Sequence, residues 1–373
     1  MVIYLFEILW LFICLPLKKY EIKIKNKKWH IDGKVLYLIS TFTLLSLVSM
    51  LRAPEIGTDT RSYYNMFLDI QNSNDIVEAF EVSNITAPIY VIWAYILGIV
   101  VNEPQIITIM NALVINIGMA AFIYRYSKNV MFSSYLFIGL TLYYESMNGA
   151  RQFMAMIFLL HCFLYLKDNV RNIKGWGLFA IAVGIHSTAI FFIIAILGII
   201  LSNNTKSLYN IFNLSFLISL SGCFLFYQLV QLFIYFYPYY NMYVDGSHPA
   251  SIVSELGGGR IILVYLSLFA VMVLYYFTYR KNNCAARKIC WNEVPMAIFC
   301  VVIGIFFCKN ILVNRLLWYF ISFFIVIIPN IYENYNFRLK FLLYEITFII
   351  YLFYCIIQLL ENKSGIVPYE LFF

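Results

Sequence analysis

Apolar runs of membrane-spanning length recur along the whole chain and are separated by short polar loops. Within each run the apolar residues are continuous, unlike the period-two alternation of an outer-membrane barrel. Runs of this kind are typical of membrane-spanning helices. The pattern therefore predicts an all-α fold, a polytopic integral membrane helical bundle, with residues 1–373 forming a single transmembrane domain.

Basic residues cluster in a few loops and orient the predicted bundle. The loops 18–34 and 279–288 are rich in Lys and Arg, so the positive-inside rule assigns both to the cytoplasm. Counting crossings from these anchors makes 52–87 and 238–260 external loops. The count is about 12 crossings, with 88–101 as a re-entrant or interfacial helix rather than a crossing.

The middle of the chain must contain short helices if all of its basic loops are to lie on the cytoplasmic side. Two apolar arms, 130–143 and 153–166, meet at Arg151 and place it at the outer face. Each arm of about 14 residues reaches roughly 21 Å as a helix, less than the usual bilayer core. The run 176–201 must go out and return, so we expect a break near its middle with His186 at the outer tip.

Composition agrees with a membrane protein and excludes several other classes. The chain is 62% hydrophobic and 12% charged, with a mean hydropathy of +0.80, which excludes a soluble domain. The net charge of +7 sits in short loops between spans, so it does not indicate nucleic-acid binding. The eight cysteines are scattered and show no zinc-site spacing. We therefore expect no metal and no cofactor.

Arginine is over-represented on the predicted outer side. The basic residues assigned there are Arg52, Arg61, Arg151, Arg260, Arg315, Lys309 and Lys363, whereas the inner loops carry mostly Lys. Arginine suits phosphate and carboxylate because its planar fork binds them bidentately. This bias predicts an anion site at the outer face.

Arg151 is the strongest of these candidates. An arginine between two membrane segments is costly unless it faces water or an anion. The neighbouring Gln152 adds hydrogen-bonding capacity, and an ion pair with Glu145 is the structural alternative. The same cost argument applies to Arg315 at the outer end of a later apolar run, while Arg260 could equally be an interfacial anchor.

Two outer residues are candidate proton acceptors. His186 titrates near neutrality, although it could simply be a capped histidine at a helix break. Asp59 precedes Arg61, and its alternative role is capping the amphipathic stretch that follows, a role that Thr58 could also take. Tyr63 and Tyr64 could stack on sugar faces or act as interfacial anchors.

Four motifs, in order, carry a resemblance to a known family. They are Gly57-Thr58-Asp59 with Tyr63, Tyr64 and Phe67; Asn148-Gly149-Ala150-Arg151-Gln152 with Ala155; Ala182 with His186, Ser187 and Ala189; and Asn314-Arg315 with Tyr319 and Phe320. Together they make the chain resemble the EpsG family, the O-antigen-polymerase-like proteins of bacterial exopolysaccharide and capsule loci.

The resemblance implies a glycosyltransferase-C-like bundle and a membrane glycosyltransferase. Such an enzyme would join oligosaccharide repeat units carried on undecaprenyl pyrophosphate at the outer face of the bacterial inner membrane. The lipid pyrophosphate would be the leaving group, and a chain-length regulator and a flippase of the same pathway are candidate partners. In this scheme His186 and Asp59 are catalytic, and the substrate-binding residues are Arg151, Gln152, Arg315, Arg61, Arg260, Tyr63 and Tyr64.

Three other functions remain open from the sequence. A ligase that transfers a finished glycan to another acceptor would use the same residues. A transporter or flippase of lipid-linked glycans would favour internal repeats and charges spread through the bundle, and neither is evident. A multispanning acyltransferase would use His186 as its base but leaves the outer arginines without a task.

Overall fold

A computed structural model describes most of the chain. It covers residues 1–20, 22–23, 30–83, 85–205, 207–236, 238, 241, 261–281, 291–308 and 310–373. Helices dominate these residues. A single antiparallel ladder in the described part pairs β1 (Ile22–Lys23) with β2 (His30–Ile31).

The helices follow one another with short connections. The first ten are α1 (Val2–Ile13), α2 (Gly33–Met50), α3 (Thr60–Gln71), α4 (Ile76–Ser83), α5 (Pro88–Val100), α6 (Gln105–Tyr126), α7 (Val130–Gly139), α8 (Leu142–Asn148), α9 (Ala150–Leu166) and α10 (Ile173–Ile185). The others are α11 (Ile193–Asn204), α12 (Leu208–Phe224), α13 (Phe226–Phe236), α14 (Ile261–Lys281), α15 (Val294–Phe306), α16 (Ile311–Ile321), α17 (Phe324–Tyr332) and α18 (Phe337–Leu360). Two 3₁₀ segments lie at Leu15–Lys19 and Ser187–Phe192.

Side-chain caps explain where several helices begin. Asp32 accepts a hydrogen bond from the Lys34 backbone N–H at 3.0 Å, at the start of α2. Asparagines take the same position before α7, α16 and α18. A short oxygen-bearing side chain satisfies backbone donors that have no intrahelical acceptor, which matters most where water is scarce.

The described residues form two compact units. The first unit comprises Met1–Leu164, Ile173–Ile190 and Tyr335–Phe373. At its centre, α7 packs against α1, α2, α6 and α18, and every residue of α7 except Met131 is buried. Within the same unit α3, α4 and α5 pack on one another, and α10 packs on α5.

The second unit comprises Tyr165–Asn172 and Phe191–Asn334. Its centre is α15, which packs against α11, α12, α14 and α16. Gly198 of α11 allows this approach, because a Cβ there would lie 2.9 Å from the Pro295 Cβ. Asn292 secures the start of α15 by accepting from the Ser202 hydroxyl at 2.8 Å and donating to the Lys167 carbonyl at 3.2 Å.

Four described helices are long and apolar enough to cross a membrane. They are Gly33–Met50, Gln105–Tyr126, Ser187–Asn204 and Phe337–Leu360. Two bent pairs raise the number to six if each pair is one span: Ile76–Ser83 with Pro88–Val100, bent by 120°, and Leu312–Ile321 with Phe324–Tyr332, bent by 44°. The protein is therefore an all-helical membrane protein with four to six candidate spans.

Two local predictions about helix shape can be compared with these elements. The predicted break in the run 176–201 is confirmed, since α10 ends at Ile185 and a 3₁₀ turn begins at Ser187. The predicted re-entrant or interfacial helix corresponds to α5, which folds back on α4 with the shape of a re-entrant loop or a broken span. The predicted external loop 52–87 contains α3 and α4, whereas nearly all of 238–260 lies outside the described residues.

A carboxyl group is buried in the first helix. Glu7 is 0% exposed, and its Oε1 lies 2.9 Å from the Tyr143 hydroxyl. That hydroxyl also lies 2.7 Å from the Leu45 carbonyl oxygen. One phenolic hydrogen cannot serve both oxygens fully, and the carbonyl can only accept. A protonated Glu7 satisfies the arrangement, because it donates to Tyr143 while Tyr143 donates to Leu45.

We expect Glu7→Gln to leave the free energy of unfolding within about 1 kcal/mol of the wild type, because the amide keeps a donor for Tyr143. Glu7→Ala removes that donor and leaves a cavity, at a cost of about 1–3 kcal/mol. Thermal unfolding of the purified protein in detergent measures both. A glutamine variant as unstable as the alanine variant would contradict a neutral Glu7.

Candidate functional site

The stretches 57–64 and 148–152, far apart in sequence, meet at one side chain. Asn148 Oδ1 accepts from the Thr58 hydroxyl at 2.6 Å and from the Asp59 backbone N–H at 2.9 Å. The Thr60 hydroxyl lies 3.2 Å from the Met147 carbonyl oxygen. We call these contacts the Asn148 junction. The junction makes one site out of two motifs that the sequence presented separately.

Glycine is required where the loop passes the junction. Gly57 has a φ of +93°, a conformation that favours glycine. A Cβ at this position would lie 2.8 Å from Thr60 Oγ1 and 3.1 Å from the Met147 carbonyl oxygen. Both the backbone conformation and the lack of space therefore explain why the Gly57-Thr58-Asp59 motif begins with glycine.

Arg52 supports the same junction through the Met147 carbonyl. Its side chain is 2% exposed and donates to Ser49 O, to Ser49 Oγ at 3.2 Å and to Met147 O at 2.9 Å. Burial lowers the pKa of Arg52 to about 10, so it still carries its charge at neutral pH. This arginine, grouped by sequence with the outer anion-binding candidates, is committed to backbone carbonyls.

Arg151 lies against a pair of neighbouring tyrosine rings, whose centroids are 6.2 Å apart. Its guanidinium carbon is 5.6 Å from the ring centroid of Tyr63 and 5.6 Å from that of Tyr90. The Tyr90 ring is fully buried, and its hydroxyl accepts from the Asn111 amide at 2.8 Å. Each ring face attracts the cation and holds its plane, so the pair of tyrosines orients the guanidinium.

The position of Arg151 on its helix adds to the positive potential. It lies in the first turn of α9, the end of a helix that carries partial positive charge. Helix N-termini favour anions for this reason. Gln152, the next residue, is 6% exposed. The guanidinium and the helix N-terminus are therefore both features that favour a nearby anion.

Asp59 occupies the N-cap position of α3 without capping it. Its side chain makes no capping hydrogen bond, and its own backbone N–H is held by Asn148. The carboxylate is half-buried, and its Oδ1 lies 3.2 Å from the Thr58 hydroxyl. The capping alternative is therefore wrong for the Asp59 side chain, which is directed to other contacts.

Arg61 and Tyr64 lie farther out on α3. Arg61 forms an exposed ion pair with Glu55 at 2.6 Å, and the Tyr64 hydroxyl donates to Glu103 at 3.2 Å. Exposed pairs of this kind contribute little to stability. The predicted substrate-binding roles of both residues stay predictions.

His186 belongs to the same unit as Asp59 and Arg151. Its Nδ1 lies 2.7 Å from the Thr188 hydroxyl, which orients the ring. Two residues earlier, Gly184 lies against Ile89, where an added Cβ would approach the side chain to 2.6 Å. Tyr90, next to Ile89, contacts Arg151. The helix α10, which ends just before His186, thus packs on α5, the helix that carries Tyr90.

The remaining candidates lie elsewhere. Arg315 is half-buried in the second unit, with its guanidinium 5.9 Å from the Trp318 ring centroid. Its neighbour Asn314 accepts from the Tyr265 hydroxyl at 2.8 Å and donates to the Cys308 carbonyl at 2.8 Å.

Arg260 lies outside the described residues. Within the described ranges, no group of three or more His, Cys, Asp or Glu residues could hold a metal ion.

Comparison with known families decides the identity. The model of the EpsG family matches residues 35–371, nearly the whole chain. The chain belongs to the EpsG family. All four motifs lie inside the match, so this EpsG-family protein carries its site residues within the family domain. Family membership indicates a membrane protein of the polysaccharide-polymerase type. No curated protein and no solved structure matches the chain.

Sequence reasoning missed Tyr90 and Asn111, which complete the setting of Arg151. Asn111 lies in the middle of α6, an apolar helix long enough to span a membrane. A polar residue in such a helix is itself a signal of a functional or structural contact. That signal could have found Asn111, but only the packing of α5 on α6 reveals its partner Tyr90.

We expect Asn148→Ala to destabilise this EpsG-family protein by about 1–3 kcal/mol, because the Asp59 N–H and the Thr58 hydroxyl lose their shared acceptor. Asn74→Ala is the matched control, since Asn74 makes only an exposed local contact with Glu78. Thermal unfolding in detergent compares the two variants. Equal melting temperatures would show that the Asn148 junction contributes nothing to stability.

Proposed function

We propose that the protein is a polysaccharide polymerase acting on lipid-linked oligosaccharide repeat units. The observation that carries the proposal is the guanidinium of Arg151, which lies against the rings of Tyr63 and Tyr90. Arg151 follows Asn148 by three residues, and Asn148 holds the Asp59 backbone. A cation held by two rings at the positive end of a helix suits a phosphate-bearing substrate. Membership of the EpsG family supports the same class of substrate.

The proposed reaction is a glycosyl transfer. A base removes the proton from a sugar hydroxyl of one lipid-linked unit, and that oxygen attacks the anomeric carbon of the growing glycan. The bond from the anomeric carbon to the lipid pyrophosphate breaks, and the pyrophosphate leaves with the bonding electrons. The departing anion needs fixed cations, for which Arg151, Arg315 and Arg260 are the candidates. The activated lipid carrier supplies the driving force, so no nucleotide is required.

His186 and Asp59 are the two candidate bases. The Nδ1 of His186 lies 2.7 Å from the Thr188 hydroxyl, and in the tautomer that donates this hydrogen bond Nε2 is the atom that would act as the base. Asp59 keeps a half-buried carboxylate beside the junction rather than using it as a cap. The Tyr63 ring holds the Arg151 guanidinium in place. The proposed contacts for the sugar or phosphate groups are Tyr64, Arg61 and Gln152.

We place the reaction at the outer face of the bacterial inner membrane. The substrate would be an undecaprenyl pyrophosphate carrier, with a flippase and a chain-length regulator as pathway partners. We propose that the chain crosses the membrane about 12 times and forms a single, glycosyltransferase-C-like transmembrane domain. The short apolar helices Val130–Gly139, Ala150–Leu166 and Ile173–Ile185 are the arms that such a count needs.

The chemistry is tested in the native host by analysing lipid-linked glycans. We expect Arg151→Ala and His186→Ala each to lose long polymer and to accumulate single repeat units on the carrier at the outer leaflet. Asp59→Asn separates the two candidate bases, because the variant of the true base loses the most activity. Normal polymer length in both the Arg151 and His186 variants would overturn the mechanism. Accumulation at the inner leaflet would point to a flippase.

Tyr63 provides matched variants for the guanidinium clamp within the same assay. Tyr63→Phe keeps the ring face against Arg151, so polymer yield should stay close to that of the wild type. Tyr63→Leu removes the ring and should reduce polymer yield by roughly 10-fold or more, because a misplaced catalytic group costs rate steeply. Arg151→Lys should also lose activity, since lysine keeps the charge but not the planar fork.

The proposed side of the membrane has a separate test. Single cysteines placed at Ser62, which is exposed in the predicted external loop 52–87, and at His186 should react with a membrane-impermeant thiol reagent added from outside intact cells. A cysteine at Lys340, assigned to the cytoplasm, is the control and should react only after permeabilisation. Reaction of the first two only after permeabilisation would show that the assigned sides are inverted.

A further inference from the structure

Residues 361–373, which follow α18, lie along the loop that leads to Asp59. The Ala53 N–H donates to the Glu370 carbonyl at 2.9 Å, and the Phe372 N–H donates to the Leu51 carbonyl at 3.1 Å. Between these bonds, Arg52 and Leu371 form an antiparallel bridge. The 361–373 segment therefore pairs its backbone with the start of the loop.

The same segment reaches the Asn148 junction through a glycine. The carbonyl of Gly365 accepts from the Gly57 N–H at 2.8 Å, and Gly365 itself has a φ of +66°. A Cβ added there would lie 3.0 Å from Thr58 Cγ2 and 3.3 Å from the Thr58 backbone N. Thr58 is the residue whose hydroxyl holds Asn148. Any larger residue at Gly365 would therefore press directly on the junction.

The segment also holds the helix side of the junction. The buried Ser364 hydroxyl donates to Glu145 Oε1 at 3.0 Å, and Glu145 lies on α8, the helix that ends at Asn148. Two tyrosines anchor the segment to other helices. Tyr4 of α1 donates to the Ile366 carbonyl at 2.6 Å, and Tyr369 donates to the Val48 carbonyl of α2 at 2.9 Å.

We propose that the 361–373 segment is a positioning element for the site, which clamps the loop of Asp59 against the helix of Asn148. It contacts both sides of the junction but supplies no group to the proposed reaction. Catalytic geometry must be held within a fraction of an ångström, so such outer supports set the rate. The family match extends to residue 371, so nearly all of this segment belongs to the family domain. The effect on polymerisation rests on the proposed function, whereas the effect on the junction does not.

The first test measures amide hydrogen exchange in the purified protein. The informative amide is that of Asp59, because its acceptor is Asn148 and not a residue of the segment. We expect Gly365→Val to speed exchange at Asp59 by about 10-fold or more, because the side chain displaces Thr58. Phe373→Ala is the control, since Phe373 is 80% exposed, and it should leave exchange unchanged.

A second, milder variant guards against loss of folding. Ser364→Ala removes only the hydrogen bond to Glu145, and Ser364→Thr restores the hydroxyl. In a polymerisation assay we expect the alanine variant to lower kcat by on the order of 10-fold with little change in KM, and the threonine variant to recover most of it. A purely structural role would reduce the amount of folded protein without changing kcat per folded molecule.

The outcomes separate the two proposals. Unchanged exchange at Asp59 in a folded Gly365→Val variant would overturn the positioning proposal, whatever the protein catalyses. Faster exchange at Asp59, combined with normal polymer in Arg151→Ala and His186→Ala, would support the positioning proposal and overturn the proposed function. An unchanged kcat in Ser364→Ala would overturn the link between the segment and the reaction.

Discussion

Hydrogen bonding of buried polar groups governs how the first unit is built. In a chain this apolar, a backbone carbonyl or N–H without a partner costs several kcal/mol, because little water is present to replace it. Arg52 provides hydrogen-bond donors for the carbonyls of Ser49 and Met147. Asn148 provides the acceptor for the Asp59 backbone N–H. The loop to Asp59, the helix ending at Asn148 and the 361–373 segment all depend on these bonds.

The same constraint gives the candidate site its chemistry. A guanidinium in an apolar bundle costs free energy, because the charge loses water. The contacts of Arg151 with the two tyrosine rings offset part of that cost. Because Tyr90 is in turn held by Asn111, the cation is oriented before any substrate arrives. Pre-organised charge of this kind would suit the pyrophosphate of the proposed reaction, since the protein would then have little to rearrange.

Several features were predictable because they follow from the cost of polar groups in lipid. That cost singled out Arg151, and the need for an even number of crossings predicted the break before His186, which the end of α10 confirms. The motif order led to the EpsG family, which the family match confirms. The role of Arg52 was not predictable, because a buried arginine that binds carbonyls and one that binds a substrate anion look the same in sequence. Capping by the Asp59 side chain was wrong, since that side chain makes no hydrogen bond to the first turn of α3.

The sequence by itself determined the class of the protein: an all-helical membrane chain of the EpsG family with costly arginines and a histidine at helix ends. These conclusions depend only on composition, on the length of apolar runs and on local motifs. Only the tertiary structure decided that the Asp59 backbone binds Asn148, three residues before Arg151, and that Tyr90 faces the guanidinium. It also decided that residues 364–372 support the loop of Asp59. These contacts join residues about 60 to 320 positions apart, and contacts across such separations leave no periodic signal in the chain.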